Sequence, residues 1–276
     1  MNKKQHIQLK LPRPLSHSSI TLYNECPQKY KFRYIDAIPE KPRHYFSFGR
    51  SVHCALEFFY VIKRVMPSIL FNPFHYPTVK RTAPPTLDEL LKNYKKIWIA
   101  EGYRDQSQEV EYFEEGKRIL TAFHEKHVKD FHVPLAVEYG FEIDVEGVPV
   151  KGFVDLIDRL PDGRLVIIDF KTGQGITPGR VEADPQLTMY QYACEPLLGA
   201  EAGELILYHL PTLTEHRSPR HGGRLVEALK TRIVNTAETI TKKQFDPKPG
   251  MICRWCDFKP ICPAFKDEHA VRRPDL

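Results

Sequence analysis

The sequence lacks the features that mark a membrane or secreted protein. Its mean hydropathy is negative, and no long uncharged apolar run occurs, which argues against a membrane span. The first residues include Lys3 and Lys4, but no apolar stretch follows them, so a secretory signal is not expected. We therefore expect a cytoplasmic protein with no membrane partner.

Strong charge and repetition are also absent. The formal net charge is +5, which is compatible with a polyanionic partner but does not require one. Neither an internal repeat nor a low-complexity tract occurs in the 276 residues. With 16 Phe and 13 Tyr, the chain has ample apolar material for one large domain or two small ones.

Cysteine is scarce, and its distribution is uneven. Six cysteines occur, and three of them, Cys253, Cys256 and Cys262, fall within ten residues near the C-terminus. Without a secretory signal, metal binding is a better explanation of this cluster than a disulfide framework. Cys54 and Cys194 lie on predicted helices, where we expect buried core thiols.

The order of predicted elements indicates an α/β fold. Apolar spacing and capping signals predict helices before and after a group of three strands. Asp184, followed by Pro185 at the first helical position, predicts a further helix start. The predicted helices begin near Ser16 and cover 47–64, 86–102, 109–130 and 223–243; the strands cover 135–145, 148–159, 164–171 and 204–210, with loops at 66–86 and 211–222. We expect one α/β domain with a helical insertion over 61–130 near its start.

Turn chemistry fixes how the three central strands face one another. A two-residue turn at Glu146–Gly147 places Glu138 opposite Asp155. A three-residue loop at 161–163, with its glycine in the left-handed conformation, places Asp155 opposite Asp169. Opposed residues of an antiparallel pair point to the same face of the sheet, so the three carboxylates are predicted to form a row.

Lys171 lies two residues beyond Asp169 and therefore faces the same side. Carboxylates this close repel one another unless a cation lies between them, and oxygen ligands suit Mg²⁺ or Mn²⁺. The alternative is a solvated sheet face with scattered charges. The apolar run 165–168 disfavours that alternative because it is typical of a buried central strand.

These residues resemble a known family. The segments Gly152–Asp155 and Ile168–Gly173 resemble the signature of the PD-(D/E)XK nuclease superfamily. Two further segments, Gly49–His53 and Gln186–Tyr190, resemble motifs of the RecB-type branch of this superfamily. The segment 15–32 resembles the start of the iron–sulfur members of that branch. Those members include the AddB nuclease domain and the CRISPR-associated RecB-type exonucleases.

The resemblance implies a restriction-endonuclease-like core, a central mixed β-sheet flanked by helices, in a single nuclease domain over 15–265 with tails at 1–14 and 266–276. It also implies site roles. His53, Asp155, Asp169 and the Phe170 carbonyl would bind metal, and Lys171 would orient or deprotonate the attacking water. Glu138 is placed by strand register where the family often has an acid.

Gln186 and Tyr190 lie four residues apart on a predicted helix and share a face. The resemblance implies that this face contacts phosphate or Lys171; the alternative is a satisfied polar pair at a helix surface. Arg50 is either a phosphate contact or a solvated charge. The mixed basic and aromatic segment 29–45 is either a surface for single strands or a set of core aromatics with solvated charges.

Cys26 completes a four-cysteine pattern with Cys253, Cys256 and Cys262. Four thiolates suit either zinc or an Fe–S cluster on chemistry alone. The resemblance favours a 4Fe–4S cluster in a region formed by 250–265 and Cys26, joining chain segments that precede and follow the catalytic motifs.

Together these features predict a metal-dependent DNA nuclease. We expect an exonuclease or end-processing enzyme acting on single-stranded DNA in repair, recombination or related DNA processing. One alternative is a nuclease that trims DNA before CRISPR integration, and another is an inactive DNA-binding assembly subunit. No Walker A pattern occurs, so any helicase or ATPase would be a partner.

Overall fold

A computed structural model describes residues 11–64, 78–177 and 179–265 of the chain. The predicted tails 1–14 and 266–276 therefore lie largely outside the described residues. Within the described part, no helix is both long and apolar enough to cross a membrane.

The first helix, α1 (His17–Glu25), begins at the predicted position. Ser16 caps it: the Ser19 backbone N–H donates to Ser16 Oγ at 3.3 Å, and the Ser16 N–H donates to Ser19 Oγ at 2.8 Å. This reciprocal pair satisfies two backbone donors that a helix start would otherwise leave free. A short helix, α2 (Pro27–Tyr30), follows and continues as a π-helical turn over Lys31–Ile35.

Helix α3 (His44–Tyr60) is the second predicted helix, but it ends four residues earlier than predicted. Val61 and Ile62 instead begin strand β1 (Val61–Arg64), which pairs with β2 (Thr78–Lys80) in a two-stranded antiparallel sheet. Two consecutive β-branched residues favour an extended backbone. The 61–130 segment is therefore not purely helical, and the predicted loop over 66–86 lies mostly outside the described residues.

Two helices follow, as predicted: α4 (Leu87–Ile97) and α5 (Gln106–His127). Gly116 lets them pack closely, because a Cβ at this position of α5 would lie 2.0 Å from the Tyr94 hydroxyl of α4. The Tyr94 side chain is fully buried as a result.

The central sheet has five strands in the order β3, β4, β5, β6, β7. They are β3 (Ala136–Val145), β4 (Val148–Arg159), β5 (Leu165–Lys171), β6 (Ala202–His209) and β7 (Thr214–Pro219). The β4–β5 and β6–β7 pairs are antiparallel, and the β5–β6 pair is parallel. The sheet is therefore mixed, and the α/β fold class with a mixed central sheet flanked by helices is confirmed.

Strand β7 was missed from the sequence. Its residues, Thr-Glu-His-Arg-Ser-Pro, are polar, and for that reason the sequence predicts a loop over 211–222. In the structure only Ser218 of this strand is buried. It is an edge strand that pairs only with β6, and an edge strand needs little apolar character.

Both predicted turns have the expected backbone geometry. Glu146 and Gly147 have φ values of 54° and 87°, as a two-residue turn of type I′ requires. Gly163 has a φ of 88°, in the left-handed region. The predicted β4–β5 register follows, because Leu156 pairs with Ile168 and Arg159 pairs with Leu165.

Helix α6 (Pro185–Leu198) connects β5 to β6, and α7 (Gly223–Thr241) follows β7. The Asp184 carboxylate caps α6 as predicted, accepting from the backbone N–H groups of Gln186 at 2.9 Å and Leu187 at 3.1 Å. Gly199 ends the helix with a φ of 64°. The C-terminal segment forms three short 3₁₀ turns.

The main core lies on one face of the sheet. Even-numbered side chains of β5 and β6, such as Val166, Phe170 and Ile206, pack with apolar residues of α3, α4 and α5. Because side chains alternate along a strand, the odd-numbered Asp169 and Lys171 point to the other face, where Lys171 contacts α6.

The chain divides into two compact units. The first comprises residues 1–41, 143–151 and 227–276, and the second comprises 42–142 and 152–226. The three predicted carboxylates, His53, Lys171 and α6 belong to the second unit, whereas the four clustered cysteines belong to the first. The single domain predicted over 15–265 stays a prediction.

Candidate active site

Strand β5 supplies two of the predicted site residues. Asp169 is 2% exposed, and the ammonium of Lys171 lies 2.5 Å from its Oδ2. The residues before Asp169 are apolar and the strand is buried, so the Asp169 carboxylate has little contact with water. A buried carboxylate of this kind needs a cationic neighbour, and Lys171 supplies one.

Asp155 of β4 contacts two other elements. Its Oδ2 accepts a 2.7 Å hydrogen bond from the Phe170 backbone N–H, which fixes the carboxylate against β5. Its Oδ1 lies 3.4 Å from Nδ1 of His53 on α3. The predicted β4–β5 register, extended by one residue beyond Leu156, sets Asp155 opposite Asp169.

Glu138 joins this group from β3. One potential ligand atom from each of His53, Glu138 and Asp155 lies within 4.8 Å of the other two. Glu138 has a φ of 47°, an unusual left-handed backbone for a non-glycine residue inside a strand. Such a conformation costs roughly 1–3 kcal/mol and is typical of functional sites.

A hydrogen-bonded chain links Lys171 to helix α6. The Lys171 ammonium donates to Gln186 Oε1 at 2.9 Å, and the Gln186 amide donates to the Tyr190 hydroxyl at 2.6 Å. Gln186 and Tyr190 lie one helical turn apart, as their spacing predicted. The structure therefore places this pair against Lys171 rather than at an isolated helix surface.

The electrostatics of the site favour additional positive charge. Burial raises the pKa of Asp169 to about 6, and Asp155 adds to this effect while Lys171 opposes it. Burial lowers the pKa of His53, but Asp155, Glu138 and Asp169 outweigh it and raise the value to about 9. The carboxylates therefore hold a proton on His53 in the absence of another cation.

One atom of the site is incompletely satisfied. Asp169 Oδ2 is buried and, among the residues that the structure describes, has no hydrogen-bond partner, although the Lys171 ammonium lies close to it. Carboxylate oxygens and an imidazole nitrogen together suit Mg²⁺ or Mn²⁺. The residues therefore fit a divalent cation. Phe170 contributes its N–H to Asp155, and its carbonyl as a ligand stays a prediction.

Two glycines of the recognised motifs permit close packing around the site. A Cβ on Gly49 would lie 3.1 Å from Thr172 Oγ1, so α3 approaches the residue that follows Lys171. A Cβ on Gly152 would lie 2.6 Å from the Phe141 ring, which packs edge-on against Tyr190 at 6.0 Å. Both positions explain why the motifs carry glycine.

The four clustered cysteines line one pocket in the first unit. Cys26 precedes α2, and Cys253, Cys256 and Cys262 come from the 3₁₀ turns near the C-terminus. Phe32 and Phe258 also line the pocket and pack at 5.2 Å, so the sulfurs lie beside apolar rings. The predicted association of Cys26 with a segment more than 220 residues away is present in the fold.

One of these sulfurs lies close to a backbone amide. The Gly250 N–H contacts Cys253 Sγ at 3.4 Å, the kind of hydrogen bond that tunes Fe–S clusters.

The other two cysteines behave differently from each other. Cys194 is buried on α6, as predicted, and burial raises its pKa to about 12. Cys54 is exposed on α3, so its assignment as a core thiol was wrong. It lies beside the half-buried His53, on the helix face that points away from the apolar core.

Two buried histidines were missed from the sequence. His209 of β6 contacts the Gly173 carbonyl at 3.0 Å, just after strand β5, and Thr212 Oγ1 at 2.7 Å. His221 contacts Thr188 Oγ1 at 2.8 Å and the Val181 carbonyl at 2.9 Å. Thr212 is three residues from His209, but the Gly173, Thr188 and Val181 partners are distant in sequence, so local spacing does not reveal those contacts.

His221 also exchanges two hydrogen bonds with Gln191: its N–H donates to Gln191 Oε1 at 2.8 Å, and Gln191 Nε2 donates to its carbonyl at 3.2 Å. It therefore fixes both α6 and the segment before it. We expect His221→Ala to lower the free energy of unfolding by about 1–3 kcal/mol, since it leaves buried polar groups unpaired. Urea unfolding measures this change, and His216→Ala on β7 is the control. An unchanged midpoint would contradict the structural role.

Comparison with known protein families agrees with the geometry of the site. The sequence model of the PD-(D/E)XK nuclease superfamily matches residues 14–263, nearly the whole chain. The chain belongs to the PD-(D/E)XK nuclease superfamily. Members of this superfamily use divalent metals, in agreement with the acidic group around His53.

Two curated relatives have similar lengths. The chain is 28% identical to the Gene 69 protein of Mycobacterium phage D29 over 282 residues, covering 94% of this chain and 99% of the relative. It is 25% identical to the Gene 69 protein of Mycobacterium phage L5, covering 91% and 96%. Their names state no activity, so they relate the chain to phage proteins without adding chemistry.

One solved structure shares the fold. A candidate exonuclease from Eubacterium rectale aligns with a TM-score of 0.53 and 13% identity, over 100% of this chain and 96% of that protein. At this identity the likeness supports the architecture. It is consistent with a restriction-endonuclease-like core over most of the chain.

Proposed function

We propose that the protein is a Mg²⁺- or Mn²⁺-dependent DNA nuclease that hydrolyses phosphodiester bonds. The observation that carries this proposal is the grouping of His53, Glu138 and Asp155 beside the Asp169–Lys171 ion pair of the neighbouring strand β5. Members of the superfamily that had become inactive binding subunits would be expected to lack part of this set.

His53, Asp155 and Asp169 are the proposed metal ligands, with Glu138 binding directly or through water and the Phe170 carbonyl as a further ligand. A bound divalent cation supplies a Lewis acid for the scissile phosphate and lowers the pKa of a coordinated water. Asp155 is held for this role by the Phe170 N–H, and Asp169 lies on the largely buried strand β5.

Lys171 is proposed to orient or deprotonate the attacking water. Asp169 and Gln186 hold its ammonium between them, at 2.5 Å and 2.9 Å. As an ammonium, Lys171 orients the water and stabilises negative charge that develops on the phosphate oxygens in the transition state, whereas deprotonating the water requires its neutral amine form. Tyr190 and Gln186 act as positioning residues, since their hydrogen bond holds the Gln186 amide in place.

Metal removal tests the activity. Purified protein should degrade DNA with Mg²⁺ or Mn²⁺, lose all cleavage in excess EDTA and regain it when the metal is restored. DNA labelled at its 5′ or 3′ end, in single-stranded, double-stranded and circular forms, separates exonuclease from endonuclease action. We expect linear single strands to be preferred. Absence of metal-dependent cleavage on all substrates would favour an inactive DNA-binding subunit.

We also propose that Cys26, Cys253, Cys256 and Cys262 hold a 4Fe–4S cluster and that the protein is a member of the RecB-type branch. Support comes from their shared pocket and the N–H contact to Cys253. Anaerobically purified protein should be brown and contain about four irons per chain. Colourless protein with one zinc would contradict the cluster. The proposed role of the nuclease is in DNA repair, recombination or related DNA processing. A helicase or ATPase is the proposed protein partner.

A further inference from the structure

Two aromatic side chains at the start of α3 are exposed to solvent. Tyr45 is 53% exposed and Phe46 is 61% exposed, although both are large apolar residues. Their rings lie 4.6 Å apart at 52°, and His44 packs edge-on against Tyr45. By contrast, Tyr30 and Phe32 of the basic and aromatic segment are buried, so for those two the core alternative holds.

The position of Phe46 relates it to the candidate active site. Phe46, Arg50 and His53 are spaced by four and three residues on one helix and therefore share a face. At about 1.5 Å per residue, Arg50 lies roughly 4.5 Å and Phe46 roughly 10 Å along the axis from His53. The helix that supplies the proposed metal ligand thus carries a cation and then exposed rings.

Arg50 is exposed, and within the described ranges it has no ion-pair partner among the acidic side chains. Many other arginines of the second unit are paired, for example Arg118 with Glu115 and Arg220 with Glu195. An unpaired guanidinium one turn from the proposed metal site is suited to a phosphate of the bound strand.

A groove lined by Tyr45 continues to the residues that follow strand β5. Tyr45 and Tyr112 line it together with Thr172, Gly173 and Gln174, the three residues that follow Lys171. Two of its three glutamates, Glu114 and Glu115, form ion pairs with Lys117 and Arg118. Aromatic rings and neutral polar groups suit nucleobases better than phosphates.

We infer that Tyr45 and Phe46 form a stacking platform for unpaired bases of the DNA substrate, and that Arg50 holds the phosphate between this platform and His53. The inference rests on the proposed nuclease function, because the strand enters the same site. Rings accept any base, so the platform predicts affinity for single strands with little sequence preference. The distance of roughly 10 Å corresponds to about three nucleotides at 3.4 Å per stacked nucleotide.

Binding measurements test the platform independently of cleavage. The background is the Lys171→Ala protein, with a fluorescent single-stranded oligonucleotide and anisotropy as the readout. Stacking on aromatic side chains is worth about 1–3 kcal/mol per base. We therefore expect the Tyr45→Leu/Phe46→Leu pair to raise the Kd for the oligonucleotide by about 5- to 150-fold. The matched exchange, Tyr45→Phe/Phe46→Tyr, keeps both rings and should stay within about twofold of the parent.

Arg50→Gln has a different signature. Losing one phosphate contact should reduce the slope of log Kd against log salt concentration by about 0.7, whereas the leucine pair should leave the slope unchanged. An oligonucleotide carrying 2-aminopurine reports stacking directly, and its quenching should be lost in the leucine pair and kept in the ring exchange.

Several results would overturn the platform. They are an unchanged Kd in the leucine pair, a loss confined to duplex DNA, no measurable single-strand binding by the parent, or burial of the rings in a dimer of two copies. Hydrolysis of bis(4-nitrophenyl) phosphate separates the two proposals, because this small substrate needs the metal site and no platform. If the parent protein hydrolyses neither this substrate nor DNA, the nuclease proposal fails. If the leucine pair nevertheless loses oligonucleotide binding, the platform is retained as a binding site for single strands.

Discussion

Asp169→Asn is expected to abolish metal-dependent DNA cleavage, with a loss of at least about 10³-fold in rate. The substitution removes a negative charge from the centre of the site while keeping the side-chain shape. Both proposed roles fail together: the carboxylate no longer attracts the cation, and Lys171 loses the partner that lies 2.5 Å from its ammonium. Removing a single preorganised electrostatic group in other enzymes costs about 10²–10³-fold, and a lost metal ligand adds to that.

The measurement is single-turnover cleavage of a labelled single strand across a range of Mg²⁺ concentrations. Asp162→Asn is the matched control, because Asp162 is an exposed aspartate in the loop that joins strands β4 and β5. It should cleave like the parent. Retained cleavage in Asp169→Asn would remove Asp169 from the site, whatever the rest of the geometry.

Stability distinguishes a lost site from a lost fold. Asp169 is buried, and burying a carboxylate is unfavourable without full compensation. The neutral asparagine avoids that cost, so the Tm of Asp169→Asn should equal or exceed the Tm of the parent protein. Inactive protein with a sharply lower Tm would instead indicate misfolding.

The sequence predicts the centre of this site because local chemistry determines it. Type I′ and left-handed glycine turns leave few choices of strand register, and the register places Asp155 and Asp169 together. His53 is different. It comes from a helix separated from β4 by about 100 residues, so only the family resemblance connects it with the carboxylates.

Other features depend on long-range packing, which local patterns do not encode. The left-handed backbone of Glu138 has no glycine or asparagine to signal it, and the contacts of His209 and His221 join distant segments. The edge strand β7 has too few buried residues to show the alternation of a half-buried strand. Position within the fold, rather than composition, determines all of these.

Cys26→Ser is expected to remove the proposed iron–sulfur cluster and to destabilise the first unit. Cys26 is separated by 227 residues from Cys253, taking the difference of their numbers, and both line the same pocket. A cross-link that closes so long a loop removes entropy from the unfolded chain, worth about 5 kcal/mol by analogy with disulfides. Losing it should lower the Tm by roughly 10–20 °C for a protein of this size.

The readouts are visible absorbance, iron content and thermal unfolding of anaerobically purified protein. Cys54→Ser is the matched control, because Cys54 is an exposed cysteine outside the pocket. It should keep the colour, about four irons and the parent Tm. Since the candidate metal ligands belong to the second unit, residual folded Cys26→Ser protein should still hydrolyse bis(4-nitrophenyl) phosphate. Parent-like iron content in Cys26→Ser would exclude Cys26 as a ligand and leave three cysteines to explain the cluster.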